Sequence, residues 1–270
     1  ARSNGYIFYV SGTLTVRDSS ATNANGTNGT GVITGGYTSN LVSFAHIDST
    51  GVFNLEGGTV TGLRANNSNL LCPSGTFNMS GGKITDCSTS FSFILTGSNG
   101  KINITGGEIS NNTATVILYA YAGNTTINVK GTQNNPVIIK NNKPSPYGVF
   151  WVDPTNTINM EYAEVTGNTG GYVLSNSNIC NIKNTIISDN TCTGSNVVLN
   201  SSGTITLENT QITGNKAVSA AVYNNNGTLI MTDCTVENNI CTTYAGGIQC
   251  WSGTATLTNV DIIGNTSTYH

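Results

Sequence analysis

Asp153, Glu161 and Glu164 are the closest group of three carboxylates in this 270-residue sequence. Two carboxylates at the right separation can act as the acid and base of glycoside hydrolysis, and three can hold calcium through their oxygens. Either role needs them on adjacent turns of one face. Here the 13 acidic residues are otherwise scattered, and Glu161 has lysines at matching positions on both sides, Lys130 and Lys183, which supply a structural partner. Of the two histidines, His46 falls among apolar residues and reads as a buried strand residue, and His270 closes the chain. The seven cysteines form no CxxC spacing and read as small buried hydrophobes. These residues predict a non-enzymatic protein with no catalytic residue, no metal site and no cofactor.

Amides and hydroxyls are the more plentiful chemistry. Asn54, Asn78, Asn103, Asn128, Asn159 and Asn181 recur at intervals of 24, 25, 25, 31 and 22 residues. A row of amides on one exposed face could pair with the hydroxyls of a sugar or with a protein surface, and Tyr6, Tyr9, Tyr119 and Tyr121 could add the rings that give a sugar site its affinity. These six asparagines are the candidate ligand-binding residues. Thr254, Thr256 and Thr258 form a T-x-T of the kind that ice-binding solenoids rank in flat arrays. The equivalent turns read Thr228-Ile230-Thr232, Thr204-Thr206-Glu208 and Ile179-Asn181-Lys183, so the rank breaks within a few turns.

The even spacing of these residues points to what positions them. Taking the first apolar residue of each copy as an anchor gives Leu14, Phe53, Phe77, Ile102, Ile127, Ile158, Cys180, Ile205, Leu229 and Ala255. The period is about 25 residues, a length that marks a repeat architecture. Two positions after each anchor stands an apolar residue, from Val16 and Leu55 to Met231 and Leu257; seven positions after it stands another, from Val60 and Ile84 to Val236 and Ile262. In the Ile127 copy, five extra residues around 133–137 bring Ile139 into that position, and a longer Gly/Asn-rich insertion lies near 19–30. A third apolar set falls seven positions before the anchor: Ile7, Leu70, Leu95, Trp151, Val173, Val198, Val222 and Ile248, with His46 and Ala120 as weaker members.

Three short alternating segments per period, broken by Gly, Asn and Asp, read as strands and turns. One such turn cannot enclose a core, whereas stacked turns can. The expected fold is therefore all-β, a right-handed parallel β-helix: a three-sheet β-solenoid of about ten turns, forming one domain over residues 1–270 and a rod of roughly 50 Å. No helix or divergent turn is predicted to cap either end, so a second copy stacking head to tail is an expected partner. Lys130, Glu161, Lys183 and Glu208 should form a ladder of alternating charge. Asn112, Asn168, Asn190, Asn215, Asn239 and Asn265 should mark a turn, each in the left-handed conformation with its amide stacked on the next.

The columns also carry a resemblance. "GGIQ" at 246–249 and "IIGN" at 262–265, with "AAVY" at 220–223, "VTGN" at 165–168, "ITGN" at 212–215 and "VENN" at 236–239, are similar to the GGAI and FxxN motifs of chlamydial polymorphic outer-membrane proteins and related repeat proteins of microbial surfaces. Val or Ile stands where that motif has Phe, and the glycine pairs of "SGGKI" and "TGGEI" fall at another point of the period. The resemblance implies an extracellular or cell-surface protein serving adhesion, scaffolding or display, with surface glycans or proteins as partners; some β-helices of this broader group are pectate-lyase-like enzymes.

Composition excludes other classes. Only 9% of residues are charged and the net charge is -3, against about a quarter charged in average proteins, so there is no electrostatic footprint for nucleic acid. Apolar runs such as Val116 to Ala122 fall far short of the ~20 residues of a membrane helix.

Overall fold

A computed structural model of the chain describes residues 5–18, 31–34, 37–38, 42–66 and 68–268. All the elements are strands, and they pair in parallel with their equivalents one repeat away, stacking about nine turns into a right-handed β-solenoid. The ten-turn expectation counted strands: ten strands stand in the second sheet, separated by nine returns. At ~4.8 Å per return the stack is ~43 Å long. The insertion near 19–30 lies outside the described residues, as does His270.

The anchor columns behave as their period requires. Phe53, Phe77, Ile102, Ile127, Ile158, Cys180, Ile205 and Leu229 lie in one continuous register. They and the residues two positions on, Leu55 through Met231, are buried, while the alternate positions face outward. Val60, Ile84, Ile109, Ile139, Val165, Ile187, Ile212 and Val236 form the second buried column. Ile139 is in register, and the five extra residues fall within 131–136, since Lys130 pairs with Glu161 and Val137 already pairs with Ala163. Each fully buried side chain contributes roughly 1.5–3 kcal/mol as an upper figure. At the N-terminal end Phe8, Phe44, Phe53 and Phe77 pack ring against ring with centroids 5.6 to 5.9 Å apart.

The third column departs from the expected spacing. Its inward-facing ladder is Phe8, Ala45, Leu71, Ile94, Leu118, Phe150, Leu174, Val198, Val222 and Ile248. Only the last three match the set seven positions before the anchor. The corner between this column and the next anchor varies in length: six positions separate Leu71 from Phe77, nine separate Leu118 from Ile127 and eight separate Phe150 from Ile158. A fixed offset therefore slips off the inward face. Ile7 is exposed, and His46, Leu95 and Trp151 stand on the outer side. A corner loop can change length without disturbing the strands on either side of it.

A fourth, two-residue column, such as Thr113–Ala114 and Thr191–Cys192, follows the second sheet and forms two five-stranded sheets. The break falls at Pro144. Thr169 N donates to Asn142 O at 2.9 Å and Gly171 N to Pro144 O at 3.2 Å, but Pro144 has no N–H to return the bond.

Both corners flanking the second sheet need left-handed backbone, which glycine, Asn and Asp tolerate best. Entering it, the positive-φ residue is Gly58, Gly82 or Gly107 in early turns and Tyr162, Asn184, Asn209, Asp233 or Asn259 later; leaving it, the series is Gly62, Asp86, Asn111, Asn141, Gly167, Asp189, Gly214, Asn238 and Gly264. This corrects the sequence reading: the residue before Asn112, Asn168, Asn190, Asn215, Asn239 or Asn265 takes the left-handed turn, and the asparagine itself points inward.

That inward ladder is continuous, and Asn142 belongs to it. Asn190 Oδ1 accepts from the backbone N and Nδ2 of Asn168 at 2.9 and 3.0 Å; its own Nδ2 donates to Val165 O and to Asn215 Oδ1, both at 2.9 Å. Asn112, Asn142, Asn215 and Asn239 repeat the scheme, and all are buried. Each amide satisfies a corner backbone group and its neighbour at once, as burial of polar atoms demands. Replacing Asn190 by Ala orphans the Asn168 amide and the Val165 carbonyl; urea unfolding should show a loss of at least ~2 kcal/mol, given about 1–3 kcal/mol for each buried group left unpaired. By the same measurement Ile104→Ala should cost about 2–5 kcal/mol through its cavity, with Lys101→Ala, on the exposed side of that strand, near neutral.

Candidate binding face

The anchor sheet displays the six candidate asparagines as a second ladder on its outer side. Asn54 donates to Thr15 Oγ1 at 3.1 Å, and Asn78, Asn103, Asn128, Asn159 and Asn181 each donate through Nδ2 to the Oδ1 of the asparagine one turn earlier, at 2.8 to 3.0 Å. All run in one direction. Five are half-buried and Asn181 is exposed. A carboxamide has two N–H donors and two acceptor lone pairs, so Asn54 through Asn159 each use one of each on their neighbours, Asn181 uses one donor, and the rest are left for solvent or a ligand.

The charge ladder stands at one margin of this face. Lys130, Glu161, Lys183 and Glu208 are consecutive rung neighbours. Among the described residues the only one of their contacts that closes to an ion pair is Lys183 Nζ to Glu208 Oε1 at 2.8 Å. The Glu208 hydrogen bond and charge hold Lys183 above the usual lysine range. These four residues, with Asn159, Asn181 and Thr206, line a shallow depression of about 290 Å³. Around the corner Gln133 and Pro136 of the insertion wall a second one of about 350 Å³, with Tyr162, Glu164, Asn184 and Gln211. T-x-T positions register as the sequence reading has them, Thr204, Thr228 and Thr254 in one column and Thr206, Ile230 and Thr256 in the next.

The carboxylates do not converge. Asp153 sits at the corner before Thr157–Glu161 and accepts from Tyr119 Oη at 2.9 Å and Trp151 Nε1 at 3.0 Å. Glu161 lies at the far end of that strand, ~13 Å along it, and Glu164 faces out from the second sheet beside Ile138 and Ile186. Among the described residues no three His, Cys, Asp or Glu side chains are placed to share a metal ion. His46 is half-buried on the outer side of the third column, between the rings of Tyr9 and Tyr6 at 5.3 and 5.1 Å; the expectation of a buried residue fails because the corner length moves it across the sheet. Cys87, Cys180, Cys192, Cys234 and Cys241 are buried, Cys72 is half-buried and Cys250 exposed, all as free thiols. Burial pushes the Cys87 thiol up to about 11. It pushes Cys192 up to about 12, outweighing a backbone hydrogen bond at Val173.

Two features lay beyond the sequence reading. Asn176, Asn200 and Asn224 form another buried amide ladder, at the corner before the anchor sheet, with Nδ2 to Oδ1 distances of 3.1 and 2.8 Å; their 24-residue spacing was the available signal. On the second sheet Glu108 is gripped by Lys83 at 3.0 Å and Lys140 at 3.1 Å. Lys140 reaches this position only because the insertion restores the register.

Comparison with protein-family models, with curated proteins and with solved structures finds no match for this chain.

Burial pushes the Glu108 carboxyl up, but hydrogen bonds with Ser110, Lys83 and Lys140 outweigh it and hold the group below its ordinary value. A depressed carboxylate stabilises the fold above its unfolded pKa, and that contribution disappears as pH falls through the folded pKa. Wild type should therefore exceed Glu108→Gln in stability at about pH 6, and the gap should shrink toward about pH 3, read from urea midpoints of the two proteins.

Proposed function

We propose that this chain is a non-enzymatic extracellular or cell-surface β-helix that works as a structural or adhesive module. The observation that carries the reading is where the chemically capable side chains go. The outer asparagines, the buried asparagines, the Glu108 triad and the Lys183–Glu208 pair are all engaged from one turn to the next. Groups engaged in this way build a stiff rod, and its surface is polar through amides and hydroxyls with only 9% charged residues. The GGxI and hxxN phrases resembling those of chlamydial polymorphic outer-membrane proteins support a surface setting.

Self-association is part of this reading. Every turn of the parallel stack bonds through its strand edges to the turn above or below, and a strand edge of this kind can pair with another chain as readily as with its own. Copies of this chain stacking head to tail would form a heterologous contact that does not close and so grows a filament. A carbohydrate-binding or pectate-lyase-like β-helix is the second reading; the remaining N–H and lone pair of each outer asparagine favour binding over chemistry. Ice binding has less support, because Ile230 and Glu208 interrupt the threonine rank.

The 270-residue chain should resist protease under native conditions and elongate with concentration in electron micrographs, and it should release no reducing or unsaturated sugar from polygalacturonate, with or without calcium. Rapid proteolysis together with short monodisperse rods at high concentration would remove the structural reading; turnover abolished by chelator or by Glu161→Gln would establish the enzymatic one.

A further inference from the structure

The outer side of the third column carries a cluster that the repeat does not need. Four of the 11 tyrosines and one of the two tryptophans, namely Tyr119, Tyr121, Tyr147, Trp151 and Tyr172, gather on three consecutive turns. Tyr119 and Trp151 are rung neighbours, and both point away from the core because Leu118, Ala120, Phe150 and Val152 on either side of them are buried. The rings meet edge to face, with centroids 5.3 Å apart for Tyr119 and Tyr121, 4.8 Å for Tyr147 and Trp151, and 6.1 Å for Trp151 and Tyr172. Asp153 pins two of them, one carboxylate oxygen accepting from the Tyr119 hydroxyl at 2.9 Å and the other from the Trp151 indole at 3.0 Å. Tyr121 is nonetheless 57% exposed and Tyr147 44%.

Stacking the turns does not account for these rings. On the next three turns the position of Trp151 is held by Ser175, Leu199 and Tyr223, and those turns pack equally well. Large rings kept half in water and fixed by a carboxylate are preorganised for contact with something else.

We propose that this cluster is a binding platform for a neutral polysaccharide, which deepens the adhesive reading above and rests on it. The rings offer apolar surface to the C–H-rich faces of sugar rings. Asp153 and the tyrosine hydroxyls supply acceptors and donors for sugar hydroxyls. Asp153 is the one charged group among the six side chains, and its negative charge disfavours an acidic polymer. The rings stand on three consecutive turns, whose backbones lie ~4.8 Å apart along the rod axis, a track that suits an extended chain. The corners that follow Tyr121 and Asp153 in the chain are polar and exposed at Gly123, Asn124 and Thr155, unlike the broad apolar centre of a protein interface.

The test is affinity electrophoresis of the 270-residue chain through gels containing soluble β-glucan, xyloglucan or galactomannan, with polygalacturonate as the acidic comparison. It is paired with Trp151 fluorescence in a Trp251→Phe background. At least one neutral polymer should retard the protein and shift the Trp151 emission. Tyr121→Ala, an exposed truncation, should weaken that binding at least ten-fold, and Tyr121→Ala with Trp151→Ala should abolish it. Retardation by none of the neutral polymers, by polygalacturonate alone, or unchanged by Tyr121→Ala would overturn the proposal. Protease resistance and self-association measured on the same preparation keep the two readings apart, because a resistant, self-associating chain that binds no polysaccharide loses the platform and keeps its structural role.

Discussion

Each strand of this protein finds its backbone partner about one repeat away in sequence, directly above or below in space. That parallel pairing of near-copies is the constraint on which everything else depends. A single turn encloses nothing, and two enclose a gap; a core exists only where inward side chains lie on inward side chains. Phe77 is covered by Phe53 on one side and Ile102 on the other, and the same holds along the stack. Any slip of one residue would turn the apolar columns outward, so the interior volume and the strand register enforce one another.

Corners are the unfavourable part of such a stack, since the chain must turn sharply while its peptide groups leave water. Two devices offset that cost. Left-handed residues make the bend at both ends of the second sheet, and inward asparagines answer the backbone groups the bend leaves unpaired. The Asn112 to Asn265 ladder does this in consecutive turns, each amide bonded to the next. Polar side chains thus sit in the core without orphaned atoms, which fully connected networks allow and isolated groups do not. The corner before the anchor sheet is looser. Its length changes from turn to turn, and there the chain carries Tyr121 and Asp153.

This division bears on function. Positions in register from turn to turn are committed to holding the rod together, including most of the side chains able to do chemistry. In the reading proposed above, recognition falls to places where the repeat is broken: the insertion within 131–136, which walls a depression beside Tyr162 and Glu164, and the aromatic strip of the third column. In a repeat protein a departure from the repeat is informative, because stacking alone supplies no reason for it.

The period, the parallel stack, the two invariant buried columns and the outer asparagine ladder were all legible in the sequence, as was the return of Ile139 to register. Each is set by strict alternation over short strands, and a strand's side-chain period of two leaves no freedom once the anchor is chosen. The third column, the outward place of His46, the inward turn of Asn190 and its neighbours, and the meeting of Tyr119, Trp151 and Asp153 were decided only by the tertiary structure. The physical reason is common to all of them: they lie at or beyond corners. A loop of six to nine positions (Leu71 to Phe77, Leu118 to Ile127) has no period of its own, so the strand after it takes its facing from the turn on which it lands.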